Sequence, residues 1–191
     1  MKHTISILFL IVFQNSVFAQ YENDCIDYKA YSILKADSVS VCSNRIKVCD
    51  LNDIKTAELL FGSNFKKTSY YSKLFAENFT ELVYPDGLKL IFPSNASPDF
   101  EIKSNKYILL FTNGQQIKVG MKGDELKAIF PKSYSNIKRV TSPGTFNGKC
   151  CFAVYFSFTK DKIVIYSDSW IEFILDEDDG VLELFYSYEP G

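Results

Sequence analysis

Apolar and polar positions along this chain change period in the same order twice. In NDIKTAELLFGS, residues 52–63, Ile54, Ala57, Leu60 and Phe61 fall at helical spacing. Asn52 or Asp53 is placed to cap the start of that helix and Gly62 its end. Period two then takes over. Residues 70–75 and 79–84 alternate imperfectly, Pro85-Asp86-Gly87 marks a turn, and Leu88, Leu90 and Phe92 share a face beyond it. Residues 100–102 and 107–112 read as another hairpin around Ser104-Asn105, and Asn113-Gly114 marks the next turn. The helical theme returns in IKVGMKGDELKAIFPKS, residues 117–133. Aligned on Phe61 and Phe130, each segment has a polar start, a short amphipathic run, an aromatic, and a Gly or Pro stop. Strands follow at 150–158, 163–166, 169–175 and, past Asp178-Asp179-Gly180, at 181–188. Helix then sheet, twice, predicts an α+β fold of two tandem repeats, 51–113 and 114–191, after a weakly periodic segment at 20–50.

Residues 1–19 follow neither period. Lys2 and His3 precede an apolar run from Ile5 to Phe13 broken only by Ser6, and Val17-Phe18-Ala19 ends on a small residue. This layout predicts a secretory signal peptide cleaved after Ala19, and hence a periplasmic or secreted protein starting at Gln20. The run is far shorter than the roughly 18 residues a membrane-spanning helix needs, so stable membrane insertion is not expected. A lipid anchor would need cysteine directly after the cleavage point, and the first cysteine is Cys25. Cleavage removes His3, the one histidine of the chain. The processed chain then cannot run Ser-His-Asp or Cys-His catalysis, nor build a histidine-ligated metal site.

Composition adds a core and removes one partner class. Hydrophobic residues make up 47% and aromatics 16%, enough to bury a substantial interior. Losing Lys2 takes the formal net charge from −2 to −3. Arginine, the side chain best suited to phosphate and base recognition, occurs only as Arg45 and Arg139. The basic doublets Lys66-Lys67 and Lys138-Arg139 belong to no stripe, so nucleic acid is not expected as a partner.

Cys25, Cys42, Cys49, Cys150 and Cys151 are candidates for disulfides in an oxidising compartment. Five is odd, so at least one thiol stays free or pairs between molecules. Cys42 and Cys49 could close a small loop, and Cys25 could reach Cys150 or Cys151. The adjacent pair reads as structural, because no C-x-x-C spacing occurs and the alternation turns the two side chains to opposite faces.

The Gly120/Gly123 pair invites a phosphate-loop reading. The helix after it spans about two turns, no Lys-Ser or Lys-Thr follows Gly123, and Asp124 and Glu125 would repel an anion. It is a helix start, and no cofactor is expected there. The same stretch, followed by strands ending in an Asp-Gly turn, resembles the repeat of β-lactamase-inhibitor-protein-like and BamE (SmpA)-like exported domains. The resemblance implies that Val119, Gly120 and Met121 set the helix entry, that Phe130 and Pro131 set its exit, and that an antiparallel sheet packs on the helix. It spans residues 51–191 as two copies and carries no catalytic residue. It departs from BamE-like proteins in lacking the anchoring cysteine, and the first copy has Asp-Ile-Lys where the motif has Gly-Met.

Residues 176–180, DEDDG, read as an acidic hairpin turn, since the spacing departs from an EF-hand loop and no metal is expected. Trp170 shares a strand face with Glu172 and Ile174, while Ile171, Phe173 and Leu175 line the other. That two-sided apolarity suggests that part of the second sheet face is covered or meets a partner, with core packing the default for most of the strand tyrosines. The expectation is a non-catalytic protein that binds another protein through an aromatic face, with Trp170, Tyr186 and Tyr188 as the site. A carboxylate-dependent glycan hydrolase, or glycan binding without catalysis, is the alternative, because paired acids can cleave glycosides without histidine.

Overall fold

The computed structural model describes residues 28–35, 39–42, 46–47, 51, 53–73, 75–94, 98–111, 114–139, 148–160 and 162–187. Side chains are described for these except at 28, 35, 39–42, 46–47, 158–160 and 166–168. The expected cleavage point, Cys25, Cys49 and Tyr188 lie outside the described residues.

Strands β1 (Ile33–Lys35), β2 (Val39–Cys42) and β3 (Ile46–Lys47) precede helix α1 (Ile54–Phe61). After it come β4 (Lys66–Ser72), β5 (Glu77–Val83), β6 (Leu88–Pro93), β7 (Asp99–Ile102), β8 (Ile108–Phe111) and β9 (Gln116–Ile117). Helices α2 (Gly123–Ile129) and α3 (Pro131–Ser135) lead into β10 (Lys138–Arg139), β11 (Cys150–Lys160), β12 (Ile163–Leu175) and β13 (Val181–Ser187).

Helix α1 starts where Asp53 accepts the Thr56 N–H at 2.7 Å, satisfying one of the donors that the first turn leaves orphaned. It ends at Gly62, whose φ of +85° is costly for any side chain. At α2 the Glu125 carboxylate accepts the Lys122 N–H at 3.0 Å. Gly120, at φ +86°, donates to the Val181 carbonyl at 2.7 Å. Gly123 lies against Tyr134 and the Asp179 turn so closely that an added Cβ would sit 3.0 Å from the Asp179 Cβ. The Gly-x-x-Gly is thus a joint between α2 and the β12–β13 turn. Pro131 ends α2 and also opens α3 at its first position, where a missing N–H costs nothing.

The large sheet runs β1-β11-β12-β13-β7-β6-β5-β4, with β10 also on β11; every pairing is antiparallel except β1 with β11. A small sheet runs β3-β2-β8-β9. The chain is a mixed α+β protein with few helices and a large, mostly antiparallel sheet. Ser32 and Ser133 exchange N–H to hydroxyl bonds at 2.9 and 3.3 Å, and the Asn136 amide donates to the Ala30 carbonyl, tying the lead segment to α3 beside β1.

Two expectations need correction. Residues 99–102 and 108–111 do not form a hairpin: β7 pairs with β6 and β13, whereas β8 pairs with β2 and β9. Between them the chain folds over the turn at 85–87, where Lys103 N–H donates to the Gly87 carbonyl and the Tyr107 hydroxyl to Asp86 Oδ1 at 2.6 Å. Those bonds redirect the chain from the large sheet to the small one. Residues 163–166 and 169–175 are one strand, not two, carrying a bulge where Tyr155 and Phe156 face Trp170 and Ser167.

One face of the large sheet forms the core with α1, α2 and the small sheet. Phe173 stacks on Phe152 at 4.6 Å and meets Phe130, which in turn meets Phe111 of β8. Phe100 stacks on Tyr186 at 4.6 Å, and Phe61 of α1 packs edge-on against Tyr84 and Tyr107. Each such side chain, fully buried, contributes about 1.5–3 kcal/mol by transfer alone. Among the described residues, no helix is long and apolar enough to cross a membrane.

Candidate binding face

Strand alternation turns a second set of residues away from the helices. Across the sheet, Lys89 lies opposite Glu101, Glu101 opposite Phe185, Phe185 opposite Glu172, and Glu172 opposite Ala153. One row over, Trp170 stands between Tyr155 and Ser187; another row holds Glu183, Ile174 and Cys151. At the far edge Tyr70 stacks on Phe79 at 5.7 Å and its hydroxyl donates to Glu81 at 3.3 Å. This face therefore runs from an aromatic pair at β4–β5, through alternating charges, to Trp170.

The charges form one chain of ion pairs. Lys89 Nζ lies 3.2 Å from Glu81 and 3.9 Å from Glu101; Lys103 contacts Glu101 and sits 3.5 Å from Glu183. Glu101, Glu172 and Glu183 are all buried. Burial pushes Glu172 up to about 7, against the opposing pull of its bond with Cys151. Burial also raises Glu183, and the nearby Glu101 carboxylate raises it further. For Lys103, burial works against its charge, but bonding to Glu101 and attraction to Glu183 outweigh it and raise the ammonium. Glu101 and Glu183 both pair with Lys103.

Of the expected site residues, Trp170 and Tyr186 lie on opposite faces, and Tyr188 lies outside the described residues. Trp170 lies on this face, half-buried. Tyr186 pairs with Ile171, the neighbour whose side chain points the opposite way, and is buried in the core between Phe100 and Phe156. Tyr186 thus belongs to the packing of the sheet, not to the surface that carries Trp170.

Among the described residues Cys150 and Cys151 are free thiols, while Cys25 and Cys49 lie outside them. Cys150 packs against the core while Cys151 turns to the opposite face. Burial pushes Cys151 up to about 12, and the neighbouring Glu172 charge adds to it, so it remains a protonated, unreactive thiol. The Cys42 side chain lies outside the described ones. In the acidic turn, Asp176 accepts the N–H groups of Asp178 and Gly180 at 2.9 and 2.7 Å, which accounts for its place there. Among the described residues no cluster of His, Cys, Asp or Glu could hold a metal ion.

Sequence reasoning passed over Glu101, Glu183, Lys89 and Lys103. A signal existed: a single acid between apolar neighbours, as in Phe100-Glu101-Ile102 and Leu182-Glu183-Leu184, marks the non-core face of a strand. Compared with known protein families, characterised proteins and solved structures, the chain matches none.

Proposed function

We propose that this chain is an exported, non-catalytic binding protein that engages a protein partner through the sheet face carrying Trp170. One observation carries the reading. Opposite the helix-covered core, a single face combines Trp170 and Phe185, both half-buried, with a charge network whose acids and lysines are already paired. Satisfied charges around partly exposed aromatics suit protein recognition, where aromatic anchors supply affinity and surrounding ion pairs supply selectivity.

The two-repeat architecture of β-lactamase-inhibitor-like and BamE-like domains belongs to the same proposal. Helix α1 precedes the meander β4–β7, and α2–α3 precede the meander β11–β13. The meanders join through their last strands, β7 and β13, antiparallel, as two copies related by a two-fold axis would.

The test is a photo-crosslinking amino acid at Phe185, with the exposed α1 position Leu59 as control, in cells that make and export the chain. A discrete adduct at 185 that disappears with Trp170→Ala, while the thermal transition is retained, is the expected result. Equal labelling at both positions, or an adduct indifferent to Trp170, refutes the assignment.

A further inference from the structure

We infer that the run of ion pairs on the outer face is a pH-sensitive switch, worked by protons on the carboxyls of Glu183 and Glu172. The run alternates acid and base: Glu81 of β5, Lys89 of β6, Glu101 of β7, Lys103 just beyond it, and Glu183 of β13. It begins and ends on an acid, so three carboxyls share two ammonium groups. The two ends differ. The Glu81 side chain is 20% exposed and the Glu183 side chain 8%, so water screens a charge far better at the first than at the second. The proton that balances the run belongs at Glu183, where burial and the Glu101 charge both oppose ionisation and Lys103 favours it.

Glu172 adds a second proton site beside the first. The register of β12 on β13 sets it opposite Phe185, two residues along the same face from Glu183. Among the described residues it makes no ion pair, and its bond is with the Cys151 thiol of β11. Burial keeps its proton in place up to about pH 7. Asp99 of β7 and Lys138 of β10 complete the charges around the two sites, the lysine acting on Cys151. In this group five carboxyls meet three ammonium groups. With protons on Glu183 and Glu172, three carboxylates face three ammonium groups. No histidine occurs among the described residues, so the usual titrating group of this pH range is not the sensor.

Loss of both protons adds two negative charges to a buried region and no cation. Lys103 is then shared by two full carboxylates, and Glu172 is ionised between Phe185 and Ala153, neither of which can solvate it. Water must enter the outer surface of β12 and β13 to reach that charge, beside Trp170 on the same strand. The face is therefore closed and balanced in mildly acidic solution, and loosened and negative in mildly alkaline solution. That this change governs partner engagement rests on the function proposed above. The measurements that test the switch involve no partner, so either idea can fail without the other.

Trp170 is the single tryptophan of the chain and stands two residues from Glu172 on one strand face. Its emission in the purified protein, followed through the neutral range, should show a reversible step whose lower part lies near pH 7. Glu172→Gln should remove that lower part, and Glu172→Gln with Glu183→Gln should flatten the whole step while the thermal transition is retained. Carbon-13 carboxyl shifts of the wild-type glutamates need no substitution, so they decide the matter even if a variant fails to fold. Two of those carboxyls should titrate well above the ordinary value of about 4.3. An emission flat across the range, glutamates that all titrate at ordinary values, or a step that survives both substitutions overturns the inference.

Discussion

Glu172 shows what one residue does when alternation and burial disagree. Its strand position turns it away from the core, yet its neighbours bury it, with the Cys151 thiol as the partner that stabilises its charge. Its ordinary value near 4.5 rises to about 7. Between those two pH values the unfolded chain has released this proton while the folded chain still holds it. Folding stability therefore falls as pH rises through the window, and is fully retained below about 4.5. The upward shift corresponds to about 3 kcal/mol between pH 4.5 and pH 8. Urea titrations at those two pH values should show the wild type losing stability and Glu172→Gln losing markedly less. Identical slopes for the two proteins would contradict the burial argument. Cys151 illustrates the companion effect: adjacency to Cys150 suggests redox chemistry, but strand geometry separates the pair and burial keeps the thiol protonated.

Among the elements, the turn at 85–87 decides more than its length suggests. It closes β5 and β6, and it also holds residues 103–107 as they pass to the small sheet. Asp86 accepts from the Tyr107 hydroxyl and pairs with Lys106. Burial pulls the Asp86 carboxyl upward, and those two bonds outweigh it and hold it below its ordinary value. For Tyr107, burial pushes the phenol up and the Asp86 charge adds to it, so it stays protonated and donates. Asp86→Ala leaves the buried Tyr107 hydroxyl without its acceptor and should cost about 1–3 kcal/mol. Asp86→Asn keeps an acceptor and should cost less. Chemical-denaturation midpoints of the two variants provide the comparison; an Ala variant as stable as Asn would mean that this junction is held by something else.

Taken as a whole, the molecule separates two jobs onto the two faces of one sheet. The inner face, with Phe173, Phe152, Phe100 and Tyr186, binds helices and small sheet into a single core. The outer face carries Trp170 and the ion-pair chain from Glu81 to Glu183. Alanine substitutions should divide accordingly. Tyr186→Ala opens a cavity beside Phe100 and Phe156 and should destabilise by about 3–5 kcal/mol. Trp170→Ala, at a half-buried outer position, should cost distinctly less. Thermal unfolding of the pair checks the division, and a Tyr186 variant no less stable than the Trp170 variant would refute it.

The local chemistry of the chain was enough to determine where elements begin and end. Asp53 and Gly62 bound a helix because caps act on their nearest turns, and Pro85-Asp86-Gly87 makes a turn wherever the chain places it. Alternation likewise separated Trp170 from Ile171 and Phe173 within their own strand, and the α+β class followed from the changes of period. Which strands are neighbours was decided only in three dimensions. Alternation assigns faces within a strand but carries no register between strands, so nothing local says that Ser187, and not Tyr186, lies beside Trp170. For the same reason residues 99–102 and 108–111, each an apparent half of a hairpin, parted into different sheets, and three buried acids from distant segments met on the outer face of the large sheet.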